Sequence, residues 1–157
     1  MASVFGAINN QITYSISPEF FTKSLFPQFG FVEYGQNTPR VTAAIIGVWS
    51  TWWIGLIIGI VQGFTGLIHK NSNMMLRKIL QSIFITISVV MLFAVFGYAF
   101  GKVYLLNTNI NWGFSGTQEQ LKNFIIAGYI HDFEYFGGIL GLISGVYYQF
   151  RSRSAVA

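Results

Sequence analysis

The hydrophobic positions of this chain are concentrated in three stretches that contain no Asp, Glu, Lys or Arg. They lie between Arg40 and Lys70, between Lys78 and Lys102, and between Glu134 and Arg151. A helix needs about 20 apolar residues to cross a hydrocarbon core ~30 Å thick. The first two stretches reach that length, and the third reaches it if residues 132–134 lie near the headgroups. The pattern therefore predicts transmembrane helices at 41–69, 79–103 and 132–150.

Composition supports an integral membrane protein. Hydrophobic residues make up 53% of the 157 positions and charged residues only 9%, whereas a soluble domain carries about 25% charged residues. The basic residues form no long run, so the composition predicts no nucleic-acid partner. The absence of cysteine excludes disulfides, thiolate metal sites and cysteine nucleophiles.

The basic residues predict the orientation. The short loop 70–78 and the tail 151–157 carry lysine and arginine without any acid, and all five acids fall on the other side of the predicted spans. An excess of Lys and Arg marks the cytoplasmic face. We therefore expect the N-terminus outside and the C-terminus inside, with the bacterial inner (cytoplasmic) membrane as the location.

Two segments outside the spans carry helix signals. In the outer segment 1–40, Ser17-Pro18-Glu19 is typical of a helix start, and the helix is expected to end before Pro27 and to lie at the membrane interface. In the outer loop 104–131, Thr117 and Gln120 form a capping box for an amphipathic helix at about 117–130. That helix either lies in the interface or continues into the third span. The predicted fold is an all-α integral membrane protein with three transmembrane helices.

Small residues recur at every fourth position within the predicted spans. This spacing keeps them on one helix face, where they let two backbones approach closely. The stripes pack the helices either within one monomer or between subunits, and the sequence leaves both alternatives open. The predicted helix-packing residues are Gly47, Thr51, Gly55, Gly59, Gly63, Gly97, Gly101, Gly137, Gly141 and Gly145.

Three glutamines lie in the inner portions of the spans. An amide in hydrocarbon is costly unless it is hydrogen-bonded. Gln62, Gln81 and Gln149 are therefore predicted to bond between helices, the alternative being a polar lining for ion passage. No acid or base is expected deep in any span, which disfavours an ion-coupled pump.

The densest group of ionisable residues precedes the third predicted span. His131, Asp132 and Glu134 could form a metal site together with Glu33. The alternative is structural: Asp132 caps the helix and Glu134 meets the positive end of its dipole. No motif predicts a cofactor, although a metal at these residues and a pigment stacked on Trp52 and Trp53 both stay open.

These features favour a non-enzymatic protein. It would act as a structural or accessory subunit of a membrane complex, or as a homo-oligomer, assembled through its glycine-rich helix faces. Its partners would be membrane lipid and other membrane subunits or copies of itself. The alternatives are an oligomeric channel or passive transporter, and an enzyme or metal-binding protein that uses the outer His/carboxylate cluster.

Overall fold

The computed structural model describes residues 1–110 and 113–154, in which every regular element is helical. Residues 155–157 of the predicted inner tail lie outside the described residues. The helices are α1 (Ala2–Ile16), α2 (Pro18–Phe20), a π-helical turn (Phe21–Leu25), α3 (Phe26–Phe29), α4 (Val32–Asn37), α5 (Pro39–Gly66), α6 (Ser72–Leu105) and α7 (Gln118–Ser154). The all-α fold class is confirmed.

Helices α5 and α6 are each long and apolar enough to cross a membrane. Their most apolar segments have mean hydropathies of 2.0 and 2.5, and only 11% of each segment is buried. The core helix of a soluble protein would be mostly buried. Here large side chains such as Phe64, Phe84 and Val95 are more than half exposed, which favours an apolar medium around both helices.

Helices α6 and α7 form an antiparallel pair built on glycine. A Cβ added at Gly97 would lie 2.7 Å from Tyr129 O, and one added at Gly141 would lie 2.8 Å from Thr86 O. Gly101, Gly137 and Gly145 also meet atoms of the opposite helix. All five therefore pack within the monomer, where their missing side chains allow the two backbones to approach closely.

Helix α1 packs antiparallel along the first half of α5. Its Gly6 lies against the backbone of Gly47, and Asn10 Nδ2 donates to Ala43 O at 2.9 Å. Thr51 Oγ1 donates to Ala2 O at 3.0 Å. The sequence predicts only one short helix in 1–40, so α1 is an addition to the predicted fold.

The predicted helix start at Ser17 is confirmed, but the predicted end before Pro27 is wrong. Ser17 Oγ accepts from Phe20 N at 3.2 Å. The chain then stays helical through the π turn and α3 as far as Phe29. Pro27 stands in the first turn of α3, directly after the π-helical turn. Gly30, with φ 77°, ends the helix in the left-handed conformation.

Helix α7 begins at the predicted capping box and continues without a break. Gln120 N donates to Thr117 Oγ1 at 3.2 Å, and Thr117 N donates to Gln120 Oε1 at 2.9 Å. The helix then includes both 117–130 and 132–150. The prediction that Asp132 caps a helix is therefore wrong, because Asp132 lies exposed in the middle of α7.

Candidate functional site

A cleft separates α5 from the α6–α7 pair. At one end it is closed by Gln149 Nε2, which donates to Gln62 Oε1 at 2.6 Å. At the other end α1 lies between α5 and α7, and Asn9 Nδ2 donates to Glu134 Oε2 at 3.0 Å. Between these two bridges lies a cavity of about 740 Å³. This volume falls within the range of small-molecule binding sites, roughly 300–1,000 Å³.

The walls of the cavity are mostly apolar. Gly59 on α5 and Gly138 on α7 both line it, and neither would meet an atom within 4 Å if a Cβ were added. The cavity therefore has room directly over both glycines. The apolar lining includes Ile54, Ile57, Ile58, Ile83, Ile87, Val90, Ile139 and Leu142, with Trp52 and Trp53 beside them.

The polar end of the cavity is formed by Asn9, His131 and Glu134. His131 Nδ1 lies 3.5 Å from Glu134 Oε2, and the two side chains are 19% and 14% exposed. The ring of Phe20 packs edge-on against the His131 imidazole, with centroids 5.2 Å apart. His131 Nδ1 and Glu134 Oε1 are buried without a hydrogen-bond partner. Such atoms are costly to leave unpaired, so the cluster has unused hydrogen-bonding capacity in two residues that line the cavity.

The pairing of α6 and α7 determines where Glu134 lies along the bundle. Gly137 would place a Cβ 2.8 Å from Phe93 Cβ, and Gly97 would place one 3.0 Å from Phe133 Cβ. Glu134 is therefore level with Phe93, inside the stretch of α6 that carries no charged side chain. At ~1.5 Å per residue, it is roughly 13 Å along the helix from Lys102. The sequence analysis expected this acid at the end of a span, near the headgroups.

The predicted metal ligands do not come together as a set. His131 and Glu134 are neighbours, but Asp132 is exposed on α7 and Glu33 is exposed on α4. In the part of the chain that the structure describes, no group of three or more His, Cys, Asp or Glu side chains could hold a metal ion. The arrangement therefore supports a hydrogen-bonding site better than a metal centre.

Two of the three predicted interhelix glutamines meet. Gln149 Nε2 contacts Ser82 Oγ at 2.9 Å as well as Gln62, and all three residues are 0% exposed. Gln81 instead accepts from the Tyr148 hydroxyl at 2.7 Å. Since Gln62 and Gln149 are fully buried where three helices meet, their position favours a clasp between helices over an ion path.

The small-residue stripe of α5 divides into two halves. Gly47, Thr51 and Gly55 contact α1, whereas Gly59 and Gly63 would meet nothing within 4 Å. The first half therefore packs within the monomer. The second half faces the cavity at Gly59 and open space at Gly63.

A basic cluster surrounds His69 at the opposite end of the bundle from α1. His69 follows the end of α5 and is 8% exposed. Burial lowers its pKa below the ordinary 6.5, and the positive charges of Lys78 and Arg153 lower it further. Lys78 Nζ also donates to the Tyr148 hydroxyl at 3.0 Å, so the start of α6 and the end of α7 are adjacent.

Sequence reasoning missed Asn9 and the cavity itself. Asn9 and Asn10 are adjacent amides in a segment of modest hydrophobicity, and nothing local to that segment shows that it packs on α5. The available signal was the match between two helix faces. Gly6, Asn10 and Thr13 form a buried face of small and polar residues on α1, and this face packs on the small-residue stripe of α5.

Comparison with protein-family models, curated proteins and solved structures finds no match for this chain. Its function therefore has to be inferred from the chemistry and geometry of its own residues.

Proposed function

We propose that the protein is a non-enzymatic membrane protein with three spans that binds a lipid-like ligand in the cleft between α5 and the α6–α7 pair. The observation that carries this proposal is the cavity of about 740 Å³ with its mostly apolar walls and a cluster of ionisable and amide side chains at one end. Few, convergent polar groups in an apolar pocket are typical of ligand sites. An amphiphile would match both parts, with its chain against the isoleucines and its head near Glu134.

The third span is α7. It follows α6 from Ser82, opposite Gly145, to Gly101, opposite Ile126. That distance is roughly 28 Å at ~1.5 Å per residue, close to the ~30 Å hydrocarbon thickness. If α6 crosses the membrane, its antiparallel partner crosses with it, and Glu134 lies below the outer surface.

The orientation follows from the basic cluster. His69, Lys78 and Arg153 share one end of the bundle, and the short loop and tail at that end contain no acid. By the excess of positive charge this end is cytoplasmic. The N-terminal segment and the loop before α7 are then outside, in a bacterial inner membrane.

Cysteine labelling tests both the third span and the orientation. The chain has no cysteine, so single exposed positions can be labelled without a background. Asn109→Cys should react with a membrane-impermeant maleimide on intact cells. Ser72→Cys and Arg153→Cys should react only after permeabilisation. Labelling of both Asn109→Cys and Arg153→Cys on intact cells would show that α7 does not cross, whereas labelling of Ser72→Cys and Arg153→Cys without Asn109→Cys would show the opposite orientation.

Lipid binding in the cleft is tested with tryptophan substitutions that fill the cavity. Gly59→Trp and Ile139→Trp place an indole in the cavity from facing walls, because both positions line it. Gly63→Trp and Ile143→Trp are matched controls, one helical turn away on the same two helices and outside the lining. Native mass spectrometry after gentle detergent extraction should show lipid bound to the wild type and both controls. The two filled variants should retain little of it.

Equal lipid retention in all four variants would contradict the proposed function. Folding is checked separately by circular dichroism and elution volume. Gly59 and Gly63 have the same open surroundings, so a general effect of tryptophan on the helix would appear at both positions.

A second candidate function is that of a subunit in a membrane complex or a homo-oligomer. The open surface at Gly63, together with Gly59, is the observation that favours it, since small residues without a neighbour let another helix approach. This function predicts that Gly63→Trp abolishes assembly with copies or other membrane proteins. The cleft function predicts that Gly63→Trp changes nothing.

A further inference from the structure

We propose that the polar end of the cleft binds the primary ammonium group of a membrane lipid, with Glu134 as its main acceptor. This inference depends on the proposed function, because it names the head group of the ligand that the cleft holds. The lipid class that we propose is phosphatidylethanolamine, which has a primary ammonium in its head group and two acyl chains.

The hydrogen bonds of Glu134 show what kind of group it lacks. Its Oε2 accepts from Asn9 Nδ2 at 3.0 Å, while Oε1 is buried without a partner. A carboxylate oxygen can only accept, so the missing partner has to be a donor. Hydrogen bonds from a charged donor to a carboxylate are about twice as strong as those between neutral groups.

The charge at the polar end of the cavity points to a cation. Among the residues that line the cavity, Glu134 is the one acid and no lysine or arginine side chain is present. Met1, which carries the N-terminal amino group, also lines the cavity, but it stands eight positions before Asn9 on α1, roughly 12 Å from the polar end at ~1.5 Å per residue. Lys122, near the start of α7, and Lys102, near the end of α6, contact Leu106 O and the Tyr98 ring respectively. Within the described residues, Glu134 therefore has a histidine 3.5 Å away and no lysine or arginine partner.

The surroundings make this missing cation significant. Glu134 lies level with Phe93, within the stretch of α6 that carries no charged side chain, and its own side chain is 14% exposed. An ionisable group inside a membrane is expensive unless it is paired. A lipid ammonium group can supply the pair from the bilayer itself, and the cleft leaves space for the attached chain against Ile87, Ile139 and Leu142.

The polar groups around Glu134 lie at one end of the apolar lining. The polar end lies on the side of the cavity where α1 bridges to α7, and the apolar lining continues from there toward the Gln62–Gln149 clasp. A lipid would thus lie with its ammonium at Glu134 and one acyl chain along the apolar lining toward the Gln62–Gln149 clasp.

Native mass spectrometry of the purified full chain tests this inference. The protein is titrated with phosphatidylethanolamine, phosphatidylcholine, phosphatidylglycerol and diacylglycerol of identical acyl chains. Phosphatidylcholine carries the charge but has no N–H donor, and diacylglycerol has a neutral donor. We expect the first bound phosphatidylethanolamine to have a Kd lower than the other three by roughly tenfold to a hundredfold, as for a hydrogen bond to a charged group.

Two variants test whether the preference for phosphatidylethanolamine depends on Glu134. Glu134→Gln keeps the size of the side chain and removes its charge, so it should still bind lipid but without a preference for phosphatidylethanolamine. Asp132→Asn removes the same charge two positions away, at an exposed site outside the cavity, and should keep the wild-type preference.

The outcomes separate this inference from the proposed function. Equal affinity for the four lipids in the wild type, tighter binding of any of the other three, or an unchanged preference in Glu134→Gln would overturn the ammonium site. In each case the cleft would stand if Gly59→Trp still abolished lipid binding. Lipid binding that survives Gly59→Trp and Ile139→Trp would overturn both.

Discussion

Replacing Gln149 by leucine removes the polar clasp that closes the inner end of the cleft. The Gln149 amide has two N–H groups and three acceptors within reach, at 2.6 Å (Gln62 Oε1), 2.9 Å (Ser82 Oγ) and 3.1 Å (Gln62 O). It can therefore make two full hydrogen bonds at a time. Hydrogen bonds between membrane helices contribute about 0.6 kcal/mol on average and up to ~1.7. Gln149→Leu should thus lower the free energy of unfolding by about 1–3 kcal/mol.

Most of this loss should arise from the partner that is left behind. In Gln149→Leu the Gln62 amide stays buried, with its Oε1 newly unpaired beside an Nε2 that already has no partner. An unpaired buried polar group costs more than the net gain from a hydrogen bond, and removing both partners can be nearly neutral. The double variant Gln62→Leu/Gln149→Leu should therefore be more stable than Gln149→Leu alone.

The assay is equilibrium unfolding in mixed micelles, followed by circular dichroism and completed as a double-mutant cycle. A coupling energy of about 0.5–3 kcal/mol is expected for two residues in direct contact. Strict additivity of the two single substitutions would refute the clasp. So would a Gln149→Leu variant as stable as the wild type.

Two further substitutions probe other parts of the bundle. Gly141→Ala places a Cβ 2.8 Å from Thr86 O and 3.0 Å from Thr86 Cα. Because the backbone has to move, we expect the free energy of unfolding to fall by about 1–3 kcal/mol in the same assay. The control Gly138→Ala, whose Cβ would have no atom within 4 Å, should lower it far less. The pKa of His69 is lowered by burial and by Lys78 and Arg153, so the unfolded chain takes up the proton at a higher pH than the folded chain. Stability should be full above about pH 6.5 and should fall as the pH drops through that value, and this fall should be smaller in His69→Gln; identical pH profiles would contradict the assignment.

Much of the helical framework could be predicted from sequence because its signals are local. The charge-free stretches of α5 and α6 define their apolar segments directly. Ser17 and Thr117 mark helix starts through side-chain geometry within a few residues. Gln62 and Gln149 were expected to bond because an amide in hydrocarbon needs a partner.

The rest of the fold depends on contacts between distant segments. Helix α1 is stabilised by the stripe of α5, with Gly6 against Gly47 and Asn10 bonded to Ala43, and its own pattern does not show this. The continuation of α7 past Asp132 was one of two alternatives that the sequence left open. The other alternative, a separate third helix that begins near Asp132, would place Glu134 at a helix start instead of beside Phe93.

The candidate site was predictable only in part for the same reason. His131 and Glu134 are three positions apart, so their proximity on a helix follows from the sequence. Their partner Asn9 comes from a segment more than a hundred residues away, and the cavity is lined jointly by residues of α1, α5, α6 and α7. A cavity depends on how several helices are arranged relative to one another, and the residue spacing within a single helix does not predict that arrangement.

An experimental structure of the protein in a lipid nanodisc that contains phosphatidylethanolamine tests the central claim most directly. We predict acyl-chain density between Gly59 and Gly138, with a head group within hydrogen-bonding distance of Glu134 Oε1. A cleft closed by α5 packing against Gly138, or occupied by a helix of a second copy, would contradict the account.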